Sequence, residues 1–216
     1  KSKYNIFFPK KNELNILKYN LIIKYLKSKQ PKYFIHLAGL SRPMDLHEKF
    51  PSKSIDLNII GTANITKACS VLGIKLIYFS TSYVYPGIKG NYKETDPVLP
   101  KNNYSWSKLG GESAVQMYKN SLILRVCMTE EPFVHNHAFG DFVTNFIFHK
   151  EIAKVLFKVI NKKGVINFGG KIQSVYNFAK KYNPNVKKMS GKKTFPLNPS
   201  MNISKFLKII KKNKKN

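Results

Sequence analysis

The sequence predicts an α/β fold built on a Rossmann-like, doubly wound parallel sheet. Short apolar runs of strand length alternate with segments of helical periodicity along the first two thirds of the chain. Each run is apolar throughout, which is typical of a strand that helices cover on both faces. The alternation and the continuous runs together favour a parallel sheet.

The predicted elements of this part follow one another as helix, strand, helix, strand, helix and strand. The apolar runs are 33–38, 75–80 and 121–126. Apolar residues recur at helical spacing in segments 14–29, 54–72 and 104–119. A parallel sheet needs such a helix between successive strands, so this order fits the predicted fold.

The alternation of strand-like and helix-like segments becomes irregular after residue 127. A polar and aromatic stretch, 129–145, precedes a helix at 150–161, a strand at 165–168 closed by two glycines, and helices at 173–181 and 202–212. We therefore predict three parts: a sheet domain at 1–127, a small irregular lobe with elements that return to the sheet at 128–207, and a lysine-rich tail at 208–216.

One expected feature of a doubly wound dinucleotide domain is missing. Such a domain normally begins with a strand, a glycine-rich turn and a helix, but none of the 12 glycines falls in that pattern. Residues 1–8 also look like the middle of a domain, and no initiator Met is present. We expect the first βαβ unit, at least ~30 residues, to be absent, leaving an exposed apolar sheet edge or groove.

The amino-acid composition and net charge limit the classes of protein to which this chain can belong. The chain has 216 residues and a formal net charge of +27, but only Arg42 and Arg125 among its 38 basic residues are arginine. The lysines are scattered, whereas nucleic-acid recognition favours clustered arginine, so no nucleic-acid partner is predicted. No apolar run reaches the ~18 residues that a membrane span needs, and we expect a cytoplasmic protein.

Disulfides and metals are not indicated. Cys69 and Cys127 are the only cysteines, and neither stands in a zinc-ligand spacing. His135 and His137 lie two residues apart, a spacing more typical of a polar loop than of a helical metal site.

The sharpest candidate for chemistry is Tyr104 followed by Lys108 at the head of a predicted helix. Residues four apart share one helical face. A nearby ammonium stabilises a phenolate, so we expect the pKa of Tyr104 to fall from about 10 toward working pH. The phenol would then serve as a general acid or base.

Hydroxyl groups follow the second predicted strand. Thr81 and Ser82 stand at its carboxyl end, where ligands of open α/β sheets bind. The segment 87–103 between this strand end and Tyr104 contains glycines and prolines, and we expect it to form a loop over the site.

Three motifs together resemble the extended short-chain dehydrogenase/reductases, and within them the nucleotide-sugar reductases of the dTDP-4-dehydrorhamnose reductase kind. They are His36-Leu37-Ala38-Gly39, Ser80-Thr81-Ser82-Tyr83-Val84-Tyr85 and Asn103-Tyr104-Ser105-Trp106-Ser107-Lys108-Leu109-Gly110-Gly111-Glu112. The resemblance runs from about residue 12 to 180 and echoes again near 196–207. Combined motifs of this kind are far more specific than a lone tyrosine and lysine.

The resemblance implies a role for each matching residue. Tyr104 would donate the proton to a sugar carbonyl oxygen as hydride arrives from NADP or NAD. Lys108 would tune that phenol and hold the nicotinamide ribose, and Thr81 would hydrogen-bond the reacting oxygen. Ser82 would contact the substrate.

Further residues follow from the same resemblance. Leu37, Ala38 and Gly39 would let the cofactor approach the backbone, since glycine lacks a Cβ. Asn58 stands where the family often has a helical asparagine near the active site. Arg42 could reach a diphosphate, although a surface arginine is the more common case.

The function implied is reduction of a 4-keto nucleotide sugar for surface polysaccharide. A 4-epimerase using the same residues and a non-catalytic, reductase-like regulatory subunit remain alternatives. Dehydratases of the family carry an acidic pair after the threonine, where this chain has Ser82 and Tyr83, so dehydration is disfavoured. A homodimer is left open.

Overall fold

Ten strands and eight α-helices lie in residues 4–191 and 196–212, which the computed structural model describes. The strands are β1 (Tyr33–His36), β2 (Lys75–Thr81), β3 (Ser121–Val126), β4 (Met128–Thr129), β5 (His137–Phe139), β6 (Val143–Thr144), β7 (Ile147–Phe148), β8 (Gly164–Phe168), β9 (Gln173–Ser174) and β10 (Lys187–Met189). The helices are α1 (Tyr19–Lys29), α2 (Asp45–Lys49), α3 (Pro51–Ser54), α4 (Gly61–Val71), α5 (Asn103–Gln116), α6 (His149–Val159), α7 (Val175–Lys180) and α8 (Ser204–Lys212), with a π-helix (Ile55–Ile60) joining α3 to α4.

The main sheet has the order β1-β2-β3-β8, and every neighbouring pair is parallel. Its register places Ile35 opposite Ile77, Ile77 opposite Leu122 and Leu124 opposite Ile166. The predicted α/β fold with a parallel sheet is therefore confirmed.

Helices cover both faces of this sheet. Leu76 and Tyr78 of β2 pack into a core with α1, α4 and α5, whereas Ile77 and Phe79 pack into a second core with α6 and α8. Alternate residues of a strand point to opposite faces, so one apolar run supplies both cores. This explains why β2 and β3 are buried along their whole length.

Several predicted boundaries were wrong by a few residues. The first helix begins at Tyr19 rather than at 14, because the Asn15 side chain accepts a hydrogen bond from Leu17 N and forms a turn there. The first strand ends at His36 rather than at 38, and the residues after it leave the sheet. The segment predicted as one helix at 54–72 is helical from Pro51 to Val71.

The stretch after β3 is more ordered than the sequence suggests. Three small two-stranded sheets pair β4 with β7, β5 with β10 and β6 with β9. The helix predicted at 173–181 begins only at Val175, because Ser174 caps it by accepting a hydrogen bond from Asn177 N. An aromatic core that includes Phe142, Phe148 and Phe178 holds this lobe together.

The first described element is α1, and β1 forms one edge of the main sheet. Between residues 4 and 32 there is no strand and no glycine-rich turn. Tyr33, Phe34 and Ile35 on the edge strand are partly exposed. At the other terminus α8 reaches Lys212, while Lys214 and Lys215 of the predicted tail lie outside the described residues.

Residues 4–191 and 196–212 contain neither a membrane-spanning helix nor a metal-binding cluster. None of the helices there is both long and apolar enough to cross a lipid bilayer. No group of three or more His, Cys, Asp or Glu side chains within the same residues is arranged to hold a metal ion.

A buried ion pair joins α5 to the sheet. Arg125 of β3 donates from Nε to Glu112 Oε1 over 3.1 Å, and both side chains are almost fully buried. Ser80 Oγ donates to the other carboxylate oxygen over 2.6 Å. Arg125 Nη1 also donates to Tyr85 Oη, which donates to Asn167 Oδ1 of β8, each over 2.8 Å. The network therefore links α5 with three strands of the main sheet.

We expect Arg125→Met to destabilise the fold strongly, because it leaves the Glu112 carboxylate buried without its cation. Removing one partner of a buried pair typically costs about 3–5 kcal/mol. Denaturant unfolding of both proteins measures the loss. Lys154→Met is the matched control, since its pair with Glu151 is exposed and the stability should stay near that of the parent. Equal stabilities of Arg125→Met and the parent would contradict a structural role for the network.

Candidate active site

The sheet and α5 bring two chain segments together at the carboxyl ends of the strands. Thr81 ends β2, and Tyr104 and Lys108 lie on the first two turns of α5. Asn102 caps α5, its side chain accepting from Ser105 N over 2.9 Å. Glu48 of α2 accepts from Asn103 N over 3.0 Å, placing a negative charge at the helix start. The caps fix where the helix begins and hence where Tyr104 stands.

Thr81, Tyr104 and Lys108 line one cavity of about 370 Å³. Leu37 and Gly39, which follow β1, line the same cavity. The remaining lining residues come from the loop after β1, the ends of β2 and β3, and the start of the small lobe: Leu40, Ser41, Arg42, Met44, Phe79, Ser80, Tyr83, Val126, Cys127, Met128, Glu130, Phe146 and His149. The structure thus brings the three residues of the predicted catalytic group to one place.

Neither Ala38 nor Ser82 lines this cavity. Ala38 is exposed and is not among the lining residues. Ser82 is fully buried in a single turn after β2, where its hydroxyl and that of Thr144 lower the pKa of the Cys127 thiol, although burial raises that pKa to about 11 overall. A substrate contact by Ser82 would need this side chain to become exposed.

The phenol of Tyr104 is enclosed by aromatic rings. The His47 ring meets it edge-on at 5.0 Å between centroids, and Tyr83 lies at 6.1 Å in a similar arrangement. This burial raises the pKa of Tyr104 to about 12, against a smaller lowering by the Thr81 hydroxyl. The expectation of a pKa below about 10 was wrong, because removal from water outweighs the hydrogen bond with Thr81 and the charge of Arg42. At neutral pH the phenol keeps its proton.

Lys108 is a partly buried cation. Its ammonium lies 4.4 Å from the centroid of the Tyr78 ring, and no acceptor among residues 4–191 and 196–212 forms a hydrogen bond with it. Burial lowers the pKa of Lys108 to about 8, and the Glu112 carboxylate opposes that lowering. The three ammonium hydrogens are therefore available to a ligand in the cavity.

Asn58 holds the loop after β1 in place. Its amide accepts from Leu40 N over 2.7 Å and donates to Leu40 O over 2.9 Å and to Ser107 Oγ over 2.8 Å. A Cβ on Gly39 would lie only 2.7 Å from the Asn58 amide oxygen. Asn58 is fully buried on the π-helix, so it supports the cavity wall from behind instead of lining the cavity.

Arg42 stands where this cavity meets a second one of about 640 Å³. Its guanidinium pairs with Glu130 over 2.6 Å, and both side chains are about half exposed. The second cavity is walled mainly by aromatic and polar residues of the small lobe: Tyr83, Thr129, Phe133, Val134, His135, Asn136, His137, Ala138, Phe139, Phe142, Phe146, Val175 and Met189. Arg42, Tyr83 and Phe146 line both cavities.

The predicted loop over the site lies elsewhere. No residue from 87 to 103 lines either cavity. Tyr92 N instead donates to Ser200 O over 2.9 Å, and Asn198 N donates to Gly87 O over 2.9 Å, so this segment packs on residues near the C-terminus. The start of the small lobe, including Met128, Glu130 and Phe146, borders the site in its place.

A protein-family model matches the sequence of this chain. The family is the RmlD substrate binding domain, and its model matches residues 1–164, about three quarters of the chain. The chain belongs to the RmlD substrate binding domain family. The motifs around Thr81, Tyr104 and Lys108 all lie within the matched residues.

Relatives in this family have different names. The chain is 36% identical over 107 residues to methionine adenosyltransferase 2 subunit beta from Pongo abelii, a match covering 50% of this chain and 32% of that protein. It is 28% identical over 147 residues to a dTDP-4-dehydrorhamnose reductase from Aggregatibacter actinomycetemcomitans, covering 67% and 47%. The matched part therefore spans between about a third and a half of these relatives.

Solved structures show the same fold for the RmlD family. A dTDP-4-dehydrorhamnose reductase from Bacillus anthracis, crystallised with NADP, superposes with a TM-score of 0.84 and 22% identity. The match covers 95% of this chain and 82% of that one. The small lobe of this RmlD-family chain is thus part of the shared architecture.

The environment of Lys108 predicts a pH-dependent change in stability. At pH 7 the ammonium is charged in both the folded and the unfolded chain, so the folded protein bears the full cost of its burial. Between about pH 8 and its ordinary value near 10.5, only the unfolded chain keeps the proton, and the free energy of unfolding rises with pH. We therefore expect Lys108→Met to be more stable than the parent at pH 7, with the gain fading toward pH 10.5.

Denaturant unfolding at several pH values measures this difference. Lys24→Met, at an exposed position of α1, controls for loss of a surface lysine. A stability difference for Lys108→Met that stays constant across this range would refute the lowered pKa.

Proposed function

We propose that this chain is a reductase that uses NADP or NAD to reduce the 4-keto group of a nucleotide-linked deoxysugar. The observation that carries the proposal is the shared cavity of Thr81, Tyr104 and Lys108, in which a protonated phenol, a hydroxyl and an unpaired ammonium converge. Family membership supports the same class of reaction.

In this proposal Tyr104 is the general acid. Reduction of a ketone needs a proton on the carbonyl oxygen, and a phenol with a pKa of about 12 holds that proton at neutral pH. Thr81 places a second hydroxyl beside Tyr104, where it would donate to the same oxygen and stabilise developing negative charge. The aromatic rings of His47 and Tyr83 would hold the phenol in one orientation.

The cofactor end of the site is formed by Lys108 and the loop after β1. Lys108 offers ammonium hydrogens without an acceptor, which suits ribose hydroxyls, and Gly39 leaves backbone open to the cavity. A bound nicotinamide would supply the hydride. The named dTDP-4-dehydrorhamnose reductase from Bacillus anthracis is a complex with NADP, and a Bordetella bronchiseptica neighbour is a complex with NAD and UDP. Cofactor binding by residues 1–127 and substrate binding by 128–207 follow from this assignment.

The second cavity is the proposed place for the nucleotide of the substrate. Phe133, Phe139 and Phe142 offer apolar faces for a base, and no carboxylate within residues 4–191 and 196–212 lines this cavity to repel phosphate. Reduction is preferred over dehydration because Ser82 and Tyr83 stand where dehydratases carry acids. A 4-epimerase remains compatible with the same three residues. Surface polysaccharide synthesis is the setting that the resemblance suggests. A cytoplasmic location and a possible homodimer stay predictions from the sequence.

A non-catalytic regulatory subunit is the second candidate. One observation favours it: the chain shares 36% identity with methionine adenosyltransferase 2 subunit beta, above its 28% with the named reductase. A subunit of this kind would bind its partner through surface contacts and need no proton donor. Retention of Thr81, Tyr104 and Lys108 in one cavity favours the enzyme.

We expect Tyr104→Phe to lower turnover by ~10²–10⁴-fold, because the ring remains but the transferable proton is lost. Substrate binding should be nearly unchanged. The assay follows loss of reduced-nicotinamide absorbance with a panel of 4-keto nucleotide sugars. Tyr176→Phe, a partly buried tyrosine outside the site, is the matched control and should retain the parent rate.

Wild-type turnover by Tyr104→Phe would eliminate this tyrosine as the donor. If the parent turns over no sugar in the panel but binds a protein partner tightly, the regulatory candidate replaces the enzyme.

A further inference from the structure

We propose that Arg42 is a diphosphate anchor shared by the two cavities, held by Glu130 until an anionic ligand displaces the carboxylate. This inference rests on the proposed function, because it names the group by which that site would recognise its ligands. The chemistry recognised is a diphosphate ester, which both a nucleotide sugar and a nicotinamide dinucleotide contain.

The position of Arg42 is the first support. It lines both cavities, and among the residues that the structure describes no lysine or second arginine lines the larger one. The other arginine of the chain, Arg125, is buried in the network beneath the sheet end and lines neither cavity. A planar guanidinium donates two parallel hydrogen bonds to a phosphate, which an ammonium does not. Arg42 is thus the one side chain placed for bidentate phosphate recognition in this part of the structure.

The ion pair with Glu130 is the second support. A single carboxylate oxygen of Glu130 accepts from Nη1 of Arg42, and the two side chains are 42% and 52% exposed, respectively. Exposed pairs of this kind contribute little to stability, so an arriving anion can replace the carboxylate at small cost. Glu130 meanwhile keeps the guanidinium between the cavities.

Substitutions of the two members of this pair should have opposite effects on ligand binding. Arg42 would attract the ligand, whereas Glu130 would compete with the ligand for Arg42 and repel its charge. Removing Glu130 should therefore strengthen binding, but only while Arg42 is present. An ordinary surface ion pair predicts no such dependence of one residue on the other.

Isothermal titration calorimetry with UDP and, separately, with NADPH tests the anchor. We expect Arg42→Met to weaken binding of at least one of them by ~10-fold or more, as for loss of a charged hydrogen bond. Arg42→Lys should lose part of that affinity, since it keeps the charge but not the fork. Glu130→Gln should bind a few-fold more tightly, within about fivefold.

Glu151→Gln is the matched control, because it removes a carboxylate from an exposed ion pair on α6 that lines neither cavity. Its affinities should equal those of the parent. In Arg42→Met combined with Glu130→Gln, the gain from Glu130→Gln should disappear. Thermal unfolding of each variant checks that the fold is kept, which the exposure of both side chains predicts.

Measuring UDP and NADPH separately shows which ligand supplies the diphosphate that Arg42 binds. If Arg42→Met weakens binding of UDP alone, Arg42 contacts the sugar nucleotide. If it weakens binding of NADPH alone, Arg42 contacts the cofactor. Unchanged affinities in Arg42→Met, or a parent that binds neither ligand, would overturn the anchor. Failure of the proposed reductase looks different: UDP or NADPH binding would still depend on Arg42, but no 4-keto sugar would be reduced.

Discussion

Glu112 and Arg125 place opposite charges where almost no water reaches them, and the position of the candidate site depends on that pair. Glu112 sits one turn beyond Lys108 on α5, and its carboxylate also accepts from Ser80, the residue before Thr81. The same interaction therefore fixes both the helix that carries the phenol and the strand end that carries the hydroxyl. Buried charges are tolerated only when every partner is present, so the geometry of the site is tied to an intact network.

Burial also decides the protonation of the site. The rings around Tyr104 raise the pKa of its phenol, and the same exclusion of water lowers the pKa of the Lys108 ammonium, so each group is pushed toward its neutral form. At neutral pH the phenol, with a pKa of about 12, keeps its proton, and the Lys108 ammonium, with a pKa of about 8, stays mostly charged. Such electrostatics suit the reductive direction of the proposed reaction. A ligand that adds charge or hydrogen bonds near Lys108 would shift the pKa values of both groups again.

The sequence predicted the main sheet well, because β2 and β3 are short apolar runs with helical segments between them. It also placed Thr81, Tyr104 and Lys108 in one cavity, since strand ends and helix starts of a parallel sheet meet at one edge. The pKa of Tyr104 could not be predicted, because it depends on His47 and Tyr83, which are distant in sequence. The short strands between β3 and α6 were missed for a related reason: two- and three-residue pairings leave no periodic signal.

We propose above all that a 4-keto sugar is reduced in this cavity. The alternatives are that the cavity holds its cofactor permanently or serves only as a binding surface. Transfer of deuterium from [4,4-²H₂]-labelled NADPH to a 4-keto nucleotide sugar, followed by mass spectrometry of the product, tests this proposal most directly. We expect a reduced sugar that carries one deuterium for each NADPH consumed. An unlabelled epimer, or a sugar recovered unchanged from a protein that binds both ligands, would contradict it.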